Sequence, residues 1–95
     1  MFGLTLYKVR GASMAPTLQD GDIVLLRQGK QALTGSIIVT NHPRLGKIIK
    51  RVNQSGHLEG DGPDSTCAED LGAVEKTNVI GRAVLAVTPR GLRRL

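Results

Sequence analysis

The stretch that decides the fold is SIIVTNHPRLGKIIKRV, residues 36–52. It holds two apolar runs, Ser36 to Thr40 and Lys47 to Val52, on either side of a polar segment with Pro43 and Gly46. Runs rich in β-branched residues that turn-forming residues interrupt are typical of strands joined by turns. This stretch therefore predicts two strands and a turn between them.

The same pattern continues in both directions along the chain. Further runs rich in Val, Ile and Leu occur at Leu4 to Val9, Asp22 to Arg27 and Val79 to Val87. No window has the apolar spacing of three and four residues that a long helix requires. Because 95 residues leave room for one domain only, we expect a single, mainly β domain over residues 1–95, with a short basic C-terminal tail at about 89–95.

Composition narrows the class of protein. Apolar residues make up 40% and charged residues 22% of the chain, as in water-soluble globular proteins. The longest apolar runs are far shorter than the roughly 20 residues that cross a bilayer, and the N-terminus lacks the features of a secretory signal. We therefore expect a cytoplasmic protein without a transmembrane segment.

The formal net charge of +5 fits nucleic acid, an anionic membrane surface or an acidic protein partner equally well. One Tyr, one Phe and no Trp are too few aromatic residues for base stacking, so no nucleic-acid partner is expected, while peripheral membrane contact stays open. Cys67, His42 and His57 do not have the spacing of a zinc site. Neither a metal nor another cofactor is expected.

The first segment with candidate chemistry is GASMAPTL, residues 11–18, directly after the first predicted strand. Ser13 stands in a turn of small residues, where Gly11 and Ala12 leave room for a substrate carbonyl. Backbone N–H groups of such a turn can stabilise the oxyanion that forms in acyl transfer. The common alternative is a serine whose hydroxyl only caps its own loop.

The second segment is KIIKRV, residues 47–52. Side chains alternate between the two faces of a strand, so either Lys50 or Arg51 must share a face with core residues. Burial lowers the pKa of a lysine until the neutral amine can accept a proton from serine, whereas arginine stays protonated. The alternatives are an exposed lysine on an edge strand, and Lys47 as the base, although alternation places Lys47 on the opposite face from Lys50.

The third segment is the polar loop EGDGPDST, residues 59–66. A hydroxyl from this loop could hydrogen-bond the Lys50 amine and hold it toward Ser13. Asp61, between two glycines, is expected to shape the turn through its own backbone contacts. The polar stretch continues to Gly72, and loops of this length in small domains tend to be functional.

In this order, the three segments resemble the type I signal peptidases and their short relatives. The shared pattern is Gly-x-Ser-Met-x-Pro-Thr-Leu, Gly-Asp-x-Val, Lys-Arg-Val, and Gly-Asp with a downstream Ser, over about Val9 to Ala83. The resemblance implies the compact antiparallel β-barrel-like fold of the signal peptidase and LexA-like catalytic core, and a serine endopeptidase with a Ser-Lys dyad. The short form with Asn41-His42-Pro43 before the lysine strand looks like nickel-type superoxide dismutase maturation proteases. That likeness implies a protein precursor as partner, from which an N-terminal propeptide is removed.

The resemblance also implies a role for each matching residue. Ser13 matches the nucleophile and Lys50 the general base that activates it. Met14 and Pro16 match the residues that shape the nucleophile turn. The main-chain N–H of Ser13 is expected to contribute to the oxyanion hole.

Other positions support the dyad or depart from the family pattern. Ser65 matches the serine that orients the lysine, although an ungapped count favours Thr66, and Asp61 belongs to the Gly-Asp pair before it. Gly11 stands where some members carry a hydroxyl donor to the oxyanion. Residues 67–69, Cys-Ala-Glu, replace the usual Asp-Ser-Arg, so a supporting salt bridge is expected to be lost.

Two alternatives remain at this stage. A self-cleaving domain of the LexA-like repressors shares the Ser-Lys logic, but Pro16-Thr17-Leu18 and the loop that bears Ser65 count against it, and no N-terminal extension offers an obvious bond to cut. A non-catalytic peptide-binding module is favoured by the altered loop and the basic tail. The presence of both Ser13 and Lys50 counts against a module without activity.

Overall fold

The protein is described from a computed structural model over residues 3–28, 33–62 and 78–95. Every regular element in these ranges is a strand. The strands are β1 (Leu4–Lys8), β2 (Ile23–Arg27), β3 (Ile37–His42), β4 (Gly46–Val52), β5 (Leu58–Glu59), β6 (Val79–Thr88) and β7 (Gly91–Arg94). All pairings are antiparallel, so the expected mainly β, antiparallel fold is confirmed.

The strands form one sheet in the order β1-β2-β6-β3-β4-β5, and β7 pairs with β6 beside this path. β6 is the longest strand, with ten residues, and the centre of the sheet. It pairs with β2 along one side, while β3 and β7 follow one another along its other side. The predicted hairpin of residues 36–52 is present as β3 and β4, which pair from Ile37 with Arg51 to His42 with Gly46.

Both faces of the central strands are buried, which gives two apolar clusters. The main cluster lies between one face of the sheet and the connection from β1 to β2, which contributes Met14 and Leu18, both fully buried. A smaller cluster on the other face of β3 and β4 contains Ile38, Val52 and Leu58. β4 is covered on both faces at its centre, so Ile49 and Lys50 are both buried although they point to opposite faces.

Of the seven strands in the described ranges, the sequence predicted five and missed two. β5 is only two residues long, too short for an alternating pattern, and β7 has the sequence GLRR with all four residues exposed. The expected basic tail at 89–95 is thus largely a strand in the structure. It folds back on β6 through a turn in which the Thr88 hydroxyl accepts the Arg90 N–H and Gly91 adopts a φ of +114°.

Within the described ranges, no helical segment has the length and apolar character that a bilayer crossing requires.

Candidate active site

Ser13 lies in the connection between β1 and β2, residues 9–22, which consists of consecutive turns. The ends of this connection are tied together, since the Val9 N–H donates to the Asp22 carbonyl at 2.7 Å and the Gly21 N–H donates to the Val9 carbonyl at 2.8 Å. Met14, next to the serine, has no exposed surface and anchors the turn in the main cluster. Ser13 itself is half-buried. The buried side chain of Met14 therefore holds in place a serine that is still partly exposed to solvent.

Carboxylates complete the serine turn. Asp20 Oδ1 accepts the N–H of Gly11 at 2.7 Å, and Asp22 Oδ2 accepts the N–H of Gln19 at 2.9 Å. Both carboxylates therefore hold the end of the turn closed. Gly11 has a φ of +79°, a conformation that is unfavourable for residues with a side chain. Pro16 is exposed and follows a cis Ala15–Pro16 peptide bond.

Lys50 is buried near the end of β4, with only 6% of its surface exposed. It pairs with Ile38 of β3, and alternation along β4 places it on the same face as Ile48 and Val52 of the smaller cluster. Burial lowers the pKa of the Lys50 amine below its usual value of 10.5. The apolar surroundings therefore favour the neutral amine, the form that a general base requires. Lys47, at the other end of the strand, is exposed.

Asp61 joins the lysine strand to the serine turn. Its Oδ1 accepts the Arg51 Nε–H at 2.9 Å and its Oδ2 accepts an Arg51 guanidinium N–H at 2.8 Å, a two-point salt bridge. The Thr17 hydroxyl also donates to Asp61 Oδ2, at 2.6 Å. The hydrogen bonds from Arg51, and to a lesser extent from Thr17, hold the pKa of the Asp61 carboxyl below its usual 3.8, while partial burial opposes the shift.

Residues 60–62 lead from β5 to the serine turn. β5 pairs with β4 so that Arg51 faces Glu59 and Val52 faces Leu58. Three residues after Glu59, the Gly62 N–H donates to the carbonyl of Ser13 at 2.8 Å. This short segment therefore connects the strand of the candidate base to the backbone of the candidate nucleophile.

Gly62 must be a glycine for this segment to reach the serine turn. A Cβ on Gly62 would lie 2.5 Å from the carbonyl oxygen of Ala12 and 3.3 Å from that of Ser13. No local pattern singles out Gly62 among the twelve glycines, because the contact is made with residues about 50 positions away in the chain.

Of the sequence-predicted site residues, the structure brings the segments that carry Ser13, Lys50 and Asp61 together through these contacts. The expectation for Asp61 needs correction, because its carboxylate binds Arg51 and Thr17 across the fold. The signal available in the sequence was an arginine directly after the candidate lysine, which needs a carboxylate partner when half-buried. Residues 65–69, with the candidate orienting hydroxyls and Cys67, lie outside the described ranges.

The part of the chain that the structure describes contains no cluster of potential metal ligands. No group of three His, Cys, Asp or Glu side chains is close enough together there to hold an ion.

Comparison with known proteins identifies the class to which this fold and site belong. A family model described as Peptidase S24-like matches residues 3–84, which include the serine turn and the whole of β4. The chain therefore belongs to the Peptidase S24-like family, within the LexA and signal peptidase-like superfamily, and by class it is a serine peptidase. Neither the curated proteins nor the solved structures contain a significant match.

We expect Asp61→Asn to lower the free energy of unfolding by about 1–2 kcal/mol, since the loss of a charged hydrogen bond is only partly offset by solvent at a half-buried pair. The asparagine keeps the size of the side chain but removes its charge. Because the pKa of Asp61 is lowered in the folded state, the stabilisation is present above pH 3.8 and is lost as the pH falls through the lowered pKa. Urea unfolding at pH 7 and pH 3 measures both effects.

Glu59→Gln is the matched control for that variant, because it removes the same charge from an exposed residue two positions away. A double-mutant cycle with Arg51→Gln gives the coupling energy of the pair. Equal losses from Asp61→Asn and Glu59→Gln at pH 7, with no coupling to Arg51, would show that the bridge contributes nothing.

Proposed function

We propose that the chain is a serine endopeptidase in which Ser13 is the nucleophile and Lys50 the general base. The observation that supports this proposal most directly is the burial of Lys50, whose pKa is lowered by desolvation, on a strand tied to the serine turn. A buried lysine without a function is costly and rare. The lysine strand is joined to the serine turn through Arg51, whose guanidinium binds Asp61, which in turn accepts the Thr17 hydroxyl.

The proposed reaction is amide hydrolysis through an acyl-enzyme. Neutral Lys50 takes the proton of the Ser13 hydroxyl as Oγ attacks the scissile carbonyl carbon, and then gives this proton to the nitrogen of the departing amine. In the second half, Lys50 takes a proton from water as the water oxygen attacks the ester carbonyl, and the proton returns to Ser13 as the acid product leaves. No histidine is required in either step.

Main-chain donors stabilise the oxyanion in this proposal, with the N–H of Ser13 first among them. Gly11 has no hydroxyl to offer, and its own N–H is already bonded to Asp20. An oxyanion hole without a side-chain donor lacks an interaction that can be worth about 100-fold or more in rate. We therefore propose a slow, selective enzyme whose rate depends on how well the substrate is positioned.

The proposed substrate is a protein precursor from which an N-terminal propeptide or leader is removed. A nickel-type superoxide dismutase precursor is the first candidate, by the resemblance of residues 41–43 to the proteases that mature this enzyme. An extended substrate segment can add to a free sheet edge through backbone hydrogen bonds. β1 and β5 are the end strands of the described sheet, and both lead directly into the site, β1 to the serine turn and β5 to residues 60–62.

The test is mass spectrometry of a nickel superoxide dismutase precursor after incubation with the wild-type chain, Ser13→Ala, Lys50→Ala and Lys47→Ala. We expect one new N-terminus with the wild type and with Lys47→Ala, and intact precursor with the other two. Lys47→Ala is the matched control, because it removes a lysine from the exposed end of the same strand.

Three other results would each point elsewhere. Cleavage of the chain itself in place of the precursor, abolished by Ser13→Ala, would indicate a self-cleaving domain. Tight binding of the precursor by wild type and Ser13→Ala alike, with no cut, would indicate a peptide-binding module. Cleavage that survives both Ser13→Ala and Lys50→Ala would rule out the proposed dyad.

A further inference from the structure

A cleft of about 620 Å³ opens where the sheet splits beside β6. Along this side of β6, the pairing with β3 ends where Ile38 faces Arg82, and the pairing with β7 begins where Arg94 faces Leu85. The Leu95 N–H also donates to the Val84 carbonyl at 3.2 Å. Ala83 and Val84 lie between these two pairs and line the cleft. The cleft is thus a gap between β3 and β7, which share one side of the central strand.

The charged side chains among the described residues that line this cleft are all positive. Four of them are arginines, namely Arg51, Arg82, Arg93 and Arg94, and none is acidic. Asp61 neutralises Arg51, whereas no ion pair to the other three occurs among the described residues. Thr34 and Ser36 also line the cleft, and their hydroxyl groups add hydrogen-bonding capacity.

The cleft adjoins the serine turn without including the proposed catalytic residues. Thr17, four residues after Ser13, lines the cleft, and its carbonyl accepts a hydrogen bond from the Arg93 guanidinium. Its hydroxyl donates to Asp61, which binds Arg51. A molecule in the cleft would therefore lie beside the nucleophile turn, while neither Ser13 nor Lys50 would contact it.

We propose that this cleft binds an acidic segment of the protein substrate, with two or three clustered Asp or Glu side chains. The assignment rests on the proposed peptidase function and adds a substrate class to it. Guanidinium groups bind carboxylates in a two-point geometry, and arginine is well suited to such recognition. A concave gap between two strands fits a peptide chain, whereas the head groups of a bilayer meet a flat or convex surface.

The test measures binding separately from cleavage. A fluorescein-labelled peptide of alternating Gly and Glu is titrated with the Ser13→Ala chain, and the same peptide with Gln in place of Glu is the ligand control. We expect saturable binding of the Glu peptide only, weakened by salt. Arg82→Gln with Arg94→Gln should weaken binding about tenfold, since each partly exposed charge pair contributes modestly.

Lys8→Gln with Lys47→Gln is the matched control, because it removes the same net charge from exposed residues outside the cleft. Equal weakening by both double variants, or no binding of the Glu peptide, would overturn the proposal. So would preferential binding to phosphatidylserine vesicles, or saturation by inorganic phosphate alone.

The outcomes also separate this proposal from the peptidase function. If the Glu peptide binds but the precursor stays uncut, the cleft is an acidic-peptide site and the proposed peptidase function is refuted. The opposite result is also possible. If the precursor is cleaved at the same rate with the Glu peptide added, and at the same rate by the Arg82→Gln, Arg94→Gln double variant, the peptidase function stands and the cleft does not bind the substrate.

Discussion

Lys50→Met is expected to lower the rate of precursor cleavage by about 10⁴-fold, the scale seen when the base of a serine peptidase is removed. The same variant should have a higher free energy of unfolding than the wild type. Lys50 is buried beside Ile48 and Val52, where an apolar side chain of similar length can pack without carrying a charge. Loss of activity together with a gain in stability distinguishes a functional lysine from a structural one.

The pH dependence of this variant has a definite sign. Below the lowered pKa of Lys50, the folded wild type carries a buried charge, and the advantage of methionine is largest. Between that pKa and 10.5 the unfolded chain binds more protons than the folded one, so the wild type gains stability as the pH rises. Cleavage by the wild type should also rise with pH through the lowered pKa, as the neutral amine becomes populated.

Urea unfolding between pH 6 and pH 10 measures the stability of the two proteins, and initial cleavage rates over the same range measure the activity. Lys47→Met is the control, for which the cleavage rate should not change. A Lys50→Met chain that is less stable than the wild type would show that the amine makes stabilising contacts. One that still cleaves would exclude Lys50 as the base.

Gly62→Ala is expected to lower the cleavage rate by about 100-fold or more, because displacement of a reacting group by 1 Å can cost that much. The added Cβ would overlap the Ala12 carbonyl oxygen, so either the serine turn or residues 60–62 must move. Both are backbone segments, and neither can relax by a change of rotamer. We also expect a loss of about 1–3 kcal/mol in stability, as for other overpacked sites.

Gly46→Ala provides a control for the loss of stability. Gly46 has a φ of +75°, so alanine is strained there, but a Cβ at this position meets nothing within 4 Å. It should destabilise the chain without moving Ser13, which lies in a different connection. Cleavage assays at a temperature where both variants are folded would then separate the two effects. If Gly62→Ala cleaves as fast as Gly46→Ala, the 60–62 segment does not position the nucleophile.

The sequence predicted the strands with apolar runs well, since β1, β2, β3, β4 and β6 all contain them. It could not predict β5 and β7, which form because a longer neighbouring strand offers unpaired backbone. For Lys50 and Arg51, alternation indicated that one of them must face the core. Alternation alone could not show which of the two side chains would find an acidic partner. That partner is Asp61, and the path of the chain after β5 determines where it lies.

The other features that the sequence did not predict depend on contacts between residues far apart in the chain. The hydrogen bond from Thr17 to Asp61 spans 44 positions, and although each residue lies in a recognisable segment, neither segment indicates that the two side chains meet. The cleft beside β6 depends on two strands meeting the same side of a third, which follows from topology and not from any one segment. The nucleophile turn and the lysine strand were found because each carries a recognisable pattern within a few residues.

The position of β6 in the chain has a consequence for biosynthesis. This strand joins β2 to β3, yet it is made after both, and the pairing of Ile23 with Val87 must wait for more than 60 intervening residues. Such non-local pairing slows folding, since loop closure comes before the contacts that stabilise it. During translation, the β1–β2 and β3–β4 hairpins would emerge from the ribosome as separate halves. The serine turn and the lysine strand would therefore be joined into one sheet only when residues 79–88 have been released.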